Sequence, residues 1–144
     1  MVPPLQTLPP PPEAQELHVW VLDNSTQLRQ LRSALQQALT GHPPTAGDTL
    51  GDVPERMVLV ASELATNAIM HGQPLAEVRL SRANDCFVLD VADHDLSTVP
   101  RVPDTRPLGA GGRGLQLARA FSLDVGWYAT ATTKHIWATF PLHP

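Results

Sequence analysis

Apolar residues crowd the segment from Leu17 to Leu22 in partial alternation, and the period then lengthens from two to between three and four. Leu28, Leu31, Leu35 and Leu39 recur at helical steps, with Arg29, Arg32 and Gln36 turned outward. This predicts a strand followed by an amphipathic helix, with Asn24 or Ser25 as its cap. Gly41 and the Pro43-Pro44 pair end that helix, and 45–52 reads as a loop. Pro54 suits a first helical position, so a second helix is expected to run to about Met70 and close at Gly72. Two strands, 76–82 and 86–92, flank an Asn84-Asp85 hairpin signal, and in the second Phe87, Leu89, Val91 and Asp93 share a face. Residues 94–112 carry prolines, glycines and polar residues without a period and read as a loop. A short helix over 113–121 and strands over 123–130 and 135–141 complete the order β-α-α-β-β-α-β-β. The fold class this predicts is α/β (α+β), a two-layer sandwich. Helices cover one face of a mostly antiparallel mixed sheet.

Composition changes this picture at the N-terminus. Residues 1–16 are dominated by proline, including the run Pro9 to Pro12, which predicts a disordered or polyproline tail ahead of a domain at 17–144. The formal net charge is -4 and no basic cluster stands out, so direct nucleic-acid binding is not expected. One cysteine, Cys86, has no CxxC or histidine companion, which suits a reducing cytoplasm and argues against a zinc knuckle. No apolar run approaches the roughly 18 residues that cross a bilayer, and no signal-peptide order is present. The expectation is a cytoplasmic protein without a membrane partner.

The segment from Val58 to Gly72, VLVASELATNAIMHG, breaks its own pattern. At about 100° per residue Met57, Leu59, Val60, Leu64 and Ala68 share one broad apolar face. Glu63 and Asn67 fall in the middle of it, and His71 continues their row. An unpartnered buried carboxylate costs several kcal/mol or shifts its pKa, so Glu63 implies water, metal or ligand nearby. Spaced i, i+4, the two side chains stack one turn apart. The Asn67 carbonyl is a good ligand for Mg²⁺, which takes one or two protein oxygens plus phosphates and waters. Glu63 could then orient or deprotonate an attacking hydroxyl. The plain alternative is a structural carboxylate bonded to backbone, with His71 as a helix C-terminal histidine.

Gly109-Ala110-Gly111-Gly112-Arg113-Gly114 stands directly before a predicted helix. Glycines there let backbone N–H groups approach phosphate oxygens, and the helix N-terminus favours negative charge. No Lys-Ser/Thr follows, so this is not a Walker A loop, and the preceding element order does not suit a Rossmann turn. Arg101, Arg106 and Arg113 bracket the loop and could neutralise phosphate; solvated surface arginines are the alternative. Asp93 ends an apolar strand, where its carboxylate can accept the exocyclic amine of adenine or simply terminate the strand.

Glu63-Leu64-Ala65-Thr66-Asn67-Ala68-Ile69-Met70-His71-Gly72, then Asp93, then Gly111-Gly112-Arg113-Gly114-Leu115 resemble the N, G1 and G2 boxes of the GHKL (Bergerat-fold) ATPase superfamily. Within it the chain looks like the short bacterial anti-sigma-factor serine/threonine kinases, and Lys134-His135-Ile136-Trp137-Ala138 is similar to their ending. The resemblance spans about residue 17 to the C-terminus. It implies a Bergerat fold, Mg²⁺ and ATP as cofactors, and a flexible lid. It implies Asn67 as the magnesium ligand, Glu63 as the catalytic base and Asp93 as the acceptor of the adenine amine. Gly112 and Gly114 would form the phosphate lid, with His71, Arg106, Gly111, Arg113 and Leu115 placed beside the nucleotide.

The implied partners are a sigma factor, which is sequestered, and an anti-sigma-factor antagonist, which is phosphorylated on serine or threonine. A homodimer is also implied. A histidine-kinase catalytic domain shares the boxes, but 144 residues leave little room for its dimerisation helices, so length favours the anti-sigma type. Two departures from the pattern stand out. Asp93 is followed by His94-Asp95-Leu96-Ser97 rather than by the glycines of an Asp-x-Gly-x-Gly box, and a threonine that supports adenine recognition in the last strand pair of many relatives is replaced near Lys134-His135. They keep a second reading open: a non-catalytic GHKL-fold module that docks regulatory partners with weak or no ATP binding.

Overall fold

A computed structural model describes Thr7 and residues 14–40, 52–71, 75–83, 85–97 and 114–142, with backbone alone for Asp52 and His71. The polyproline run, Gly41 and Pro43-Pro44, Gly72, Arg101, Arg106 and the glycine-rich loop from Gly109 to Arg113 lie outside the described residues.

Strand β1 (Gln15–Leu22) opens the sheet, two residues earlier than the alternation predicts. Asn24 then builds a capping box: its side chain accepts from the Thr26 N–H, and the Gln27 side chain accepts from the Asn24 N–H. These reciprocal bonds satisfy donors that a helix start leaves open. A single 3₁₀ turn leads into helix α1 (Leu28–Thr40), which buries Leu28, Leu31 and Leu35. Helix α2 (Asp52–His71) is followed by the hairpin β2 (Ala76–Ala83) and β3 (Cys86–Asp93). Ala83 pairs with Cys86 across a two-residue connection that contains the predicted Asn84-Asp85. Helix α3 (Gly114–Phe121) and the hairpin β4 (Asp124–Ala129) and β5 (Lys134–Pro141) finish the chain.

The five strands lie in the order β1-β2-β3-β5-β4, and every neighbouring pair is antiparallel. Among the described residues, the mixed character expected of the sheet reduces to one parallel bridge, Thr7 with Trp127 on the β4 edge. All three helices belong to one layer. Leu22, Val78, Leu80, Leu89, Val91, Ala138 and Phe140 project from the sheet into a core with Leu31, Leu35, Met57, Val60 and Leu64. The fold is therefore the predicted two-layer α+β sandwich. Period 2 puts Phe87, Leu89, Val91 and Asp93 on this helix-facing side of β3, and Lys134, Ile136, Ala138 and Phe140 on the same side of β5.

Candidate functional site

Helix α2 positions the first two candidate residues. Its fully buried positions include Met57, Val60, Ala61 and Ala65, with Leu64 and Ala68 nearly so. The buried arc is turned away from the one predicted: Leu59 is only half-buried, while Ala61 and Ala65 are covered completely. Small alanines let the helix press closely against its neighbours on that shoulder. Glu63 and Asn67 consequently do not lie in the middle of the packed face. Both are half-buried on its flank, one turn apart. A carboxylate and an amide at such a border keep access to water and to a ligand, whereas at the centre of the packed face they would need internal partners.

Strand β3 delivers Asp93 to the same side of the sheet, and its carboxylate is almost wholly buried. Its Oδ1 accepts a hydrogen bond from the Asp95 N–H at 2.8 Å, and Asp95 Oδ1 accepts one from the Ser97 N–H at 3.0 Å. Two successive aspartate turns therefore shape His94–Ser97, where the superfamily pattern has glycines. Desolvation raises the Asp93 pKa above the usual 3.8. The Asp95 N–H and the Lys134 charge pull it down, and the Asp95 carboxylate pushes it up again.

Lys134 is the cross-strand partner of Asp93, with Nζ 3.9 Å from Oδ1, and it is buried as well. The sequence reading started this last strand at 135, one residue late, and so left Lys134 outside it. A polar Thr-Thr-Lys run gives no alternation from which the earlier start could be seen.

Helix α3 begins at Gly114 and packs on α2. Leu115 and Ala118 are buried in the core, and the Arg56 guanidinium lies over the Phe121 ring at 5.1 Å from its centroid. Leu115 thus works as an anchor for the helix that follows the glycine-rich loop. Among the described candidates, the fold places Glu63 and Asn67 on α2, Asp93 at the end of β3 and Leu115 on α3, all within the helix-facing layer. The α2 helix contacts both β3 and α3. His71 is placed only by its backbone, at the end of α2. The predicted phosphate-binding residues Arg106, Gly111, Gly112 and Arg113 lie outside the described residues.

Over residues 21–140 the sequence matches the model of the histidine kinase-like ATPase domain. The chain belongs to that family. No curated protein matches it. Membership in the histidine kinase-like ATPase family implies ATP binding, and the span of the match takes in the α2 segment, Asp93 and α3. Among the described residues no group of three or more His, Cys, Asp or Glu could hold a metal ion. The donor set of α2 fits Mg²⁺, which needs few protein oxygens when phosphate supplies others. Among the described residues no helix of this ATPase domain is long and apolar enough to cross a membrane.

The opposite face of the sheet holds a polar cluster that sequence reasoning missed. Asp90 Oδ1 lies 2.8 Å from His135 Nδ1, and His135 Nε2 lies 2.8 Å from Thr133 Oγ1. The Tyr128 hydroxyl donates to Asp90 Oδ2 at 3.1 Å, and its ring stacks on His135. Burial and the Asp90 charge raise the Tyr128 pKa well above its usual 10.0. Thr130 Oγ1 accepts from the Thr132 and Thr133 N–H groups and lies 2.6 Å from Thr133 Oγ1. The His135 tautomer that carries its proton on Nδ1 donates to Asp90 and leaves Nε2 to accept from Thr133, which can in turn accept from Thr130. The signal available in sequence was an aspartate inside an otherwise apolar strand, FVLDVAD.

Proposed function

We propose that this ATPase-family chain is an anti-sigma-factor serine/threonine kinase. It sequesters a sigma factor and phosphorylates that factor's antagonist. The observation that carries the reading is the pair on the flank of α2. Glu63 and Asn67 are retained one turn apart at the border of the core, on the side of the sheet to which β3 brings Asp93.

In this reading Asn67 supplies the protein oxygen for Mg²⁺, which when bound to ATP neutralises phosphate charge. Glu63 orients the attacking serine or threonine hydroxyl and accepts its proton. Asp93 accepts an N–H from the base. His71, Arg106, Gly111, Gly112, Arg113 and Gly114 serve the phosphates, and Leu115 holds α3 in place. The chain acts in the cytoplasm as a homodimer.

Transfer of labelled phosphate from ATP to a cognate antagonist tests the proposal, with Glu63→Ala as control. Transfer by wild type and its loss in the variant support the kinase. Wild-type protein that binds ATP but transfers nothing removes the kinase assignment.

The paired aspartate turns at 93–97 favour a second reading, a non-catalytic module that docks regulatory partners. They put Asp95 and its charge where close approach of a nucleotide would use glycine. Calorimetry separates the two. Micromolar ATP binding supports the kinase, and no binding up to millimolar supports the docking module.

A further inference from the structure

We propose that the sheet face opposite the helices is a docking surface for the chain's own N-terminal segment, with residues 8–13 and their run Pro9 to Pro12 strapped across Trp137, Val88 and Ser81.

Two anchor points confine the route. Thr7 bridges Trp127 on the outer edge of β4, and β1 begins at Gln15 on the opposite edge of the sheet. From Thr7 through β4, β5, β3 and β2 to β1 there are five inter-strand steps, about 24 Å at the usual spacing. The eight residue steps from Thr7 to Gln15 span about 26–29 Å when fully extended. Register carries the Trp127 row through Ile136, Val91 and Val78 to Trp20, so Gln15 lies further along β1 and the route is a diagonal. Little length is left over. Passing behind a helix layer about 10 Å thick would add about 20 Å, which this stretch of chain does not have. The crossing is therefore on the open side of the sheet.

Burial follows the same line. Thr139, Val88 and Ser81 form one row across the open face, and Trp137 stands beside Thr139 on that face. All four lie along the diagonal. Each is at most 8% exposed, although the described helices pack on the other side and Val88 and Trp137 lie outside the main core. Val19 and Val21 share the open face at the corner that the diagonal misses, and they are 37% and 52% exposed. A cover that runs along the diagonal accounts for both groups.

Proline suits such a strap. It has no N–H to leave unsatisfied away from a partner strand, and a polyproline segment needs no internal hydrogen bonds. Its fixed φ lowers the entropy lost on ordering, and its rings offer apolar surface to the Trp137 indole and to Val88. A seated strap closes this face to protein partners.

Hydroxyl-radical footprinting of the full chain, read residue by residue by mass spectrometry, tests this against a variant carrying Pro10→Asp and Pro11→Asp. Two carboxylates resist burial on an apolar face. Trp137 should oxidise slowly in wild type and severalfold faster in the variant, while Phe140, buried on the helix-facing side, stays protected in both. Equal protection of Trp137 in the two proteins, or a reactive Trp137 in wild type, overturns the strap. If Phe140 also becomes reactive, the variant has unfolded, and photo-crosslinking from Pro10→benzoylphenylalanine in the otherwise unaltered chain decides. Adducts on Ser81, Val88 or Trp137 support the strap. Adducts only elsewhere, or none, overturn it.

Discussion

Burial raises the Asp93 pKa from 3.8, and the direction of that shift governs how the residue behaves. A carboxyl with a raised folded-state pKa binds its proton more tightly in the folded chain than in the unfolded one. The resulting stability is fully present below 3.8 and is lost as pH rises through the higher folded value. Asp93→Asn lacks this titration. Urea denaturation of the two proteins across the acidic range should therefore show wild type losing stability relative to the variant as pH rises. The opposite slope would mean that Lys134 outweighs desolvation. ATP affinity should move the other way and weaken as pH falls through the same window, because a protonated Asp93 is a poorer acceptor. Gly126 is a second residue whose behaviour geometry dictates. A Cβ built there would sit 2.8 Å from Trp137 Cζ2, and that indole is only 2% exposed. Gly126→Ala should cost about 1–3 kcal/mol, as overpacking does, read as a lower denaturation midpoint with an unchanged slope.

At the scale of elements, helices α1 and α2 depend on different devices. The entry to α1 depends on its cap: Asn24 and Gln27 bond reciprocally to backbone N–H groups. Asn24→Ala should cost about 1 kcal/mol, a loss that urea denaturation can resolve, with nucleotide affinity unchanged because the bonds lost lie within the cap itself. Helix α2 depends instead on small residues. Ala61 and Ala65 are fully buried, and they set which face of α2 packs and so leave Glu63 and Asn67 at the border. Ala65→Leu should destabilise by about 1–3 kcal/mol. Because it re-seats the helix, it should weaken ATP binding as well, unlike Asn24→Ala. Calorimetry on the two variants distinguishes a helix that merely must form from one that must sit at a given rotation.

Over the whole molecule, the sheet divides the protein into two sides with different chemistry. The helix-facing side carries the core and the candidate nucleotide residues. The other side carries Arg79 paired with Glu16 and Glu77, and the Asp90–His135–Thr133 chain with Tyr128. That chain joins β3 to the β4–β5 hairpin across the sheet, and every named member has a partner. Breaking it leaves buried polar groups unpaired, at about 1–3 kcal/mol each. Asp90→Ala strands both His135 and Tyr128 and should lower stability by more than Tyr128→Phe, which removes one donor. Equal losses in thermal or urea denaturation would show that Asp90 does not hold the cluster.

Legibility followed the length scale of the information. The element order was readable because leucines at three- and four-residue steps and alternation in β2 and β3 are local patterns with a direct geometric meaning. The face shared by Leu89, Val91 and Asp93 was readable for the same reason. The start of β5 at Lys134 was not, because Thr-Thr-Lys carries no alternation, and with it the Asp93–Lys134 pair escaped notice. The rotation of α2 was misjudged because alanine has too little surface to declare a buried face, although it permits the closest packing. The Asp90 cluster joins residues up to 45 positions apart in the chain, and only strand register brings them together. Sequence alone therefore determined which segments became helix and strand and which chemistries were present, since both depend on near neighbours. Tertiary structure decided which side chains met across strands and which stood at the border of the core, since both depend on register and close packing between segments remote in the chain.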